Sequence, residues 1–423
     1  MSAHKERIRK AAMLQKLGPG LISGAADDDP SGIATYSQAG AAFGFNMLWT
    51  IVLTFPLLGA VQSIAARIGR VTGQGLSANI KAIFPRWLLL TIVSLLFVAN
   101  TINIGADLAA MGEAAALVTG HKSHFYVLGF GALTLLLQFF LHYHRYVGVL
   151  KWLTLVLFAY FGVVMVTQVD WAEALARTLR PNFAIDAASA GMIVAIFGTT
   201  ISPYLLFWQS SQEVEEVNND PERETLRAGP RRAIWEFRRI RLDTYVGVGF
   251  AHLVAAAIVL ATAATLNQAG HLQIATAAEA AEALRPIAGD LAFLLFGLGI
   301  VGTGLLAVPV LAGSAAYAIA EAFGWKSGLD YQPWEAAGFY AVIAAAITVG
   351  VFLDMSSIDP IRALIWSAKV NGVISVPVLA VMMIVASRRS LMGQFRASAT
   401  QLVMGWVTTA VMAVAVAAMF VLG

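Results

Sequence analysis

Residues 17–49, LGPGLISGAADDDPSGIATYSQAGAAFGFNMLW, set three acids and a proline inside an otherwise apolar run. Gly18 to Ala26 precede the acids, and Ile33 to Phe43 continue the apolar pattern beyond Pro30. Proline lacks an amide donor and clashes with the carbonyl four residues back, so Pro30 is expected to break a helix here. In hydrocarbon, broken backbone survives only where it is buried in protein or lines a polar cavity. A carboxylate at that depth is costly and is usually retained for function. Asp29, at the break itself, is the candidate. Asp27 and Asp28 fit either the same site or a span end at the headgroups.

A second stretch repeats the anomaly. Residues 195–216, AIFGTTISPYLLFWQSSQEVEE, carry a glycine, two threonines, a serine and Pro203 at a corresponding depth. Each break is expected to free carbonyl oxygens just before its proline, and the negative end of a half-helix suits a cation.

Composition makes lipid the solvent for much of the chain. Of 423 residues, 58% are apolar and 13% charged, too little polar surface for a soluble domain of this length. The absence of cysteine excludes disulfide frameworks, thiol chemistry and Cys-ligated metal. A net charge of +3 does not suggest a nucleic-acid partner. The basic start MSAHKERIRK is not followed by a short apolar stretch and a small-residue cleavage site, so no removable signal peptide is expected.

Eleven candidate spans lie at roughly 17–42, 46–66, 87–112, 124–142, 149–168, 188–216, 244–266, 291–322, 336–353, 361–386 and 398–422. With the N-terminus inside, the cytoplasmic segments hold 22 Lys and Arg, and the outer loops hold five: Lys122, Arg177, Arg180, Arg285 and Arg362. That asymmetry is the positive-inside pattern. It predicts a multi-pass protein of a bacterial inner (plasma) membrane, with its N-terminus cytoplasmic and its C-terminus outside. Breaks five spans apart suggest two inverted five-helix repeats, over 17–168 and 188–386, with the substrate between paired discontinuous helices. A cytoplasmic tail, 1–16, would precede them and an eleventh helix, 398–422, would follow. The polar insertion 217–243 is predicted to be an amphipathic helix on the inner surface, as a solvated connector or a regulatory surface.

At this point the residues resemble a family. The first stretch is similar to the first-helix signature of the NRAMP (natural resistance-associated macrophage protein) metal-ion transporters. The family's Asp-Pro-Gly-Asn corresponds to Asp29-Pro30-Ser31-Gly32. Its sixth-helix Ala-x-x-Met-Pro-His corresponds to Thr199-Thr200-Ile201-Ser202-Pro203-Tyr204, and its third-helix Asp-Leu-Ala to Asp107-Leu108-Ala109. The resemblance implies an all-α polytopic membrane protein of the LeuT-type fold working by alternating access. It implies no enzyme activity and no cofactor, and its partners would be a divalent cation and the bilayer. It also implies a metal site made of Asp29, the carbonyls of Ala26 and Thr199, and positions 32 and 202. The departures matter there. Gly32 replaces an amide and Ser202 a thioether, a soft ligand that favours transition metals. The remaining oxygen-only set suits hard cations such as Mg²⁺, which keeps several waters, and Mn²⁺. The pattern thus resembles the NRAMP-related magnesium transporter branch, with a proton-coupled Mn²⁺/Fe²⁺ importer as the alternative.

Other intramembrane polar residues have two readings each. Asn100, Asn103 and Asp107 share a helix face that lines an ion path or bonds to a neighbouring helix. Gln209, Gln212, Glu213 and Glu216 form a stripe beyond Pro203, either lining the inner vestibule or ending a helix at the headgroups. Asn371 offers an amide oxygen to the ion or packs. Lys369 is expected to face away from a cation site or to pair with an acid. His252 is a relay or a packed residue, and Tyr204 replaces the family's histidine. A LeuT-type organic-solute transporter is a rival that Asp29 argues against, and an enzyme lacks any signature such as H-E-x-x-H.

Overall fold

The computed structural model describes residues 23–24, 26–140, 153–218, 225–230, 233–353 and 359–423. The tail 1–16, the start of the first span, the loop before the fifth and parts of the 217–243 insertion lie outside these residues. The described chain is helical, without strands.

Eight described helices are long and apolar enough to cross a membrane. The difference from eleven has three causes. Pro30–Phe43 and Leu48–Thr72 run on through a short 3₁₀ turn at Gly44–Met47 and form one stretch by length. The fifth span, described from residue 153, bends by 112° into Trp171–Leu179. The ninth, Ala337–Leu353, is 17 residues long. The other spans are Arg86–Thr119, Ser123–Phe140, Ala187–Thr200 with Pro203–Asn218, Ala233–Thr262, Ala292–Phe323, Pro360–Ser387 and Ala399–Leu422.

Packing follows the expected pairing at a separation of five. The third span lies along the eighth, the second against the seventh, the fourth against the ninth, and the two broken spans touch. The tenth span packs on the first, third and sixth and so closes the centre. Glycines permit the closest approaches. A Cβ at Gly198 would come within 2.0 Å of the Ala368 carbonyl and 2.4 Å of the Gly372 amide.

Two elements differ from expectation. From Ala233 onward the 217–243 insertion is no separate surface helix but the start of the seventh span, continuous to Thr262. Ile234, Trp235, Leu242 and Val246 are exposed along it. Trp171–Leu179, expected as loop, is a short helix N-capped by Asp170, whose side chain accepts from the Glu173 amide. Its Trp171, Leu175 and Leu179 are exposed on one face, the pattern of a helix lying in an interface.

Candidate cation site

Pro30 occupies the first position of Pro30–Phe43, where its missing amide is harmless and its fixed φ suits the helix. Asp29 is the N-cap, extended at φ −70° and ψ 170°. Its Oδ1 accepts from the Gly32 amide at 2.7 Å, and its Oδ2 accepts from Asn103 Nδ2 at 3.1 Å. Asn103 Oδ1 in turn accepts from the Ser367 hydroxyl at 2.6 Å. Asp29 is 3% exposed. Two donors and the positive end of a helix are what such a buried carboxylate requires when no cation is beside it. Asp107 lies one turn beyond Asn103, close enough for its charge to interact with that of Asp29. Neither of its oxygens meets a donor with hydrogen-bond geometry.

The sixth span supplies hydroxyls. Ser202 Oγ lies 2.7 Å from the Gly198 carbonyl and 2.8 Å from that of Thr199, so it is turned onto its own half-helix. The Tyr204 hydroxyl donates across the site to the Ala26 carbonyl at 3.1 Å. Tyr36 OH and Thr200 Oγ1 add a second link between the two broken spans at 2.8 Å. The carbonyls expected to face a cation, Ala26 and Thr199, are therefore already accepting hydrogen bonds. Each keeps a second lone pair. Thr199 Oγ1 has no partner. Gly32 is closely packed, since a Cβ there would lie 3.3 Å from the Asp27 carbonyl, 3.4 Å from the Tyr36 ring and 3.5 Å from Asp29 Oδ1.

Asp27 and Asp28 are buried, each with one carboxylate oxygen unpartnered. Among the described residues no three His, Cys, Asp or Glu side chains converge as a metal cage. Besides Asp29, the carboxylates of Asp27, Asp28 and Asp107 are buried at or beside the break.

The third-span face divides. Asn103 and Asp107 belong to the break, whereas Asn100 donates to the Leu311 carbonyl at 2.8 Å and Ser314 Oγ at 2.7 Å on the eighth span. The stripe beyond Pro203 is similarly distributed among partners. Gln209 accepts from Ser23 at 2.7 Å, and Gln212 reaches Tyr317 OH at 3.4 Å. Glu213 and Glu216 pair with Arg239 at 2.5 and 3.2 Å. Asn371 is buried with Oδ1 unpartnered. Lys369 lies beside Gly191, where a Cβ would come within 3.1 Å of its Nζ. That is about two helical turns from Thr199. His252 uses both ring nitrogens, toward the Val248 carbonyl at 2.8 Å and Thr54 Oγ1 at 3.1 Å, which is a packing role. A 400 Å³ cavity between Thr265, His271, Glu279 and Arg285 shares no residue with the break.

Sequence reasoning passed over Ser367 and Ser31, whose hydroxyls both reach the Leu364 carbonyl, at 2.7 and 3.1 Å. A signal was present: Ser367, Asn371 and Ser375 recur every four residues along an apolar span, one polar line on one helix face.

Comparison with known proteins agrees with this architecture. The chain is 26% identical over 392 residues to the divalent metal cation transporter MntH of Acidiphilium cryptum, covering 89% of this chain and 83% of that protein. It is 28% identical over 308 residues to the MntH of Verminephrobacter eiseniae, covering 71% and 67%. A crystal structure of the Eremococcus coleocola manganese transporter superposes with a TM-score of 0.73 at 18% identity, covering 95% of this chain and 85% of that one. Mhp1, a nucleobase-cation-symport-1 family transporter, superposes at 0.60 with 14% identity, covering 96% and 92%. These likenesses fix the LeuT-type fold. Residues 20–422 match the family described as natural resistance-associated macrophage protein-like, Nramp, and the chain belongs to that family of transporters.

Proposed function

We propose that this protein carries divalent metal cations across the membrane by alternating access, with Mn²⁺ as its substrate and Asp29 as its charged ligand. The observation that carries the reading is Asp29 itself, a buried carboxylate at a helix break, held by the Gly32 amide and the Asn103 side chain. The ligand set is Asp29, the Ala26 and Thr199 carbonyls and the Ser202 hydroxyl, with no side chain at Gly32. Mn²⁺ accepts an all-oxygen shell, and relatives of this chain are named divalent metal cation and manganese transporters.

Mg²⁺ is the second reading, favoured by Gly32 and Ser202. Neither position offers a soft or amide ligand, and a short oxygen-only ligand set suits an ion that keeps part of its water shell. The direction of transport is import into a bacterial cell, through an inner membrane with the N-terminus inside.

The test is flux into proteoliposomes loaded with a metal-sensitive dye, comparing Mn²⁺, Mg²⁺ and Cd²⁺. Wild type is expected to take up Mn²⁺, and Asp29→Ala to lose uptake by at least about a hundredfold while staying monodisperse, since the sole charged ligand is gone. Undiminished uptake by Asp29→Ala would remove the site. Mg²⁺ flux exceeding that of Mn²⁺ at equal concentration would select the second reading.

A further inference from the structure

We propose that Asn103 supplies the amide oxygen this site lacks at Gly32, and that Ser367 on the tenth span is the positioning residue that lets its side chain turn. This rests on the reading of Asp29 as the cation ligand. In the described state Asn103 gives its NH₂ end to Asp29 Oδ2 and its Oδ1 to the Ser367 hydroxyl. All three side chains are at most 3% exposed, so no bulk water substitutes for these partners. A buried carboxylate needs donors, and an amide NH₂ is one.

A bound cation inverts the requirement. Asp29 Oδ2 would then face a positive ion, and a donor beside it would be repelled. Turning the Asn103 amide about its terminal bond brings Oδ1 to the cation side and NH₂ to the Ser367 side. A hydroxyl is both donor and acceptor, and the Ser367 hydroxyl already has a second acceptor within reach, the Leu364 carbonyl at 2.7 Å. It can donate there and accept from Asn103 NH₂. In either orientation the end of the amide that faces Ser367 has a hydrogen-bond partner, which holds for no apolar residue at position 367. Ser31, next to the break, donates to the same Leu364 carbonyl at 3.1 Å, so the tenth span is tied to the first beside the site. Occupancy of the site is thereby reported to the tenth span by the direction of one hydroxyl hydrogen.

The test is Mn²⁺ uptake by wild type, Asp29→Ala, Ser367→Ala, Ser367→Thr, Asn103→Ala and Ser367→Ala with Asn103→Ala. Loss of a hydrogen bond to a ligand-bearing side chain predicts a half-saturating Mn²⁺ concentration about tenfold higher in Ser367→Ala, with the maximal rate falling less than that. Ser367→Thr, which keeps the hydroxyl, is expected to return to within about threefold of wild type. In the Asn103→Ala background Ser367→Ala should add nothing, because the two act through one interaction. Additive effects, or a Ser367→Ala protein with wild-type half-saturation, would overturn the inference while leaving Asp29 in place. Uptake that persists in Asp29→Ala would instead overturn the site on which it rests. Each variant is checked for a monodisperse peak, and Ser367→Thr separates loss of the hydroxyl from loss of folding.

Discussion

At the scale of single residues, selectivity reduces to what stands at positions 32 and 202. Asp29 alone does not choose among divalent ions, since its charge attracts them all. A thioether at 202 would add a soft ligand and an amide at 32 a further oxygen. A side chain at 32 would start beside Asp29 Oδ1, and its Cβ, 3.3 Å from the Asp27 carbonyl, requires a shift of a few tenths of an ångström there. Gly32→Asn combined with Ser202→Met is therefore expected to raise Cd²⁺ competition against Mn²⁺ uptake by about tenfold or more. Strong Cd²⁺ competition already in the wild type, unmoved by the double variant, would count against this ligand assignment. The residues that carried this argument were legible in the sequence, because a carboxylate and a proline between apolar flanks have few structural uses. Ser367 was not. Its partner Asn103 is 264 positions away, and a serine on an apolar helix says nothing of what it faces.

Among the elements, the breaks were legible and the polar ends of helices were not. Pro30 and Pro203 each begin a half-helix because proline cannot continue one. By contrast, interleaved charges read the same whether a helix lies on the membrane surface or extends a span into solvent, and Ala233–Thr262 proved to be the latter. Its Arg239 explains the stripe beyond Pro203. Glu213 is fully buried and pairs with Arg239, which also holds Glu216 and Glu236, while Glu236 reaches Arg70 at 3.2 Å. One arginine thus joins the sixth and seventh spans, and Glu236 extends the network to the second. Removing one member of a buried pair leaves an uncompensated charge and costs about 3–5 kcal/mol. Arg239→Ala should lower the thermal unfolding midpoint in detergent clearly, and adding Glu213→Gln should recover part of the loss. A single variant as stable as the wild type would show that the network contributes nothing at this end.

Across the whole molecule, the question is what drives the ion. An inside-negative potential of 100 mV favours entry of a divalent cation by about 4.6 kcal/mol, twice the value for one charge. That corresponds to roughly three decades of accumulation, enough to import a metal with no second gradient. At the break the titratable side chains are carboxylates and tyrosines, without a histidine among the described residues there. Tyr204 stands where the resembling transporters have histidine, and its hydroxyl is engaged with the Ala26 carbonyl. Ala110 follows Asp107-Leu108-Ala109, where those transporters often have glutamate. His252 has both ring nitrogens in hydrogen bonds. Asp107, a buried carboxylate near the Ser31 backbone amide, is a candidate, and Asp27 and Asp28 are buried acids at the same break. Mn²⁺ uptake is accordingly expected to follow an imposed potassium diffusion potential, rising about tenfold for each 30 mV of inside-negative potential at equilibrium. A pH dye trapped in the same vesicles should record no acidification once the potential is clamped. Acidification that scales with metal uptake and vanishes in Asp107→Asn would establish proton coupling through that residue and refute a purely potential-driven carrier.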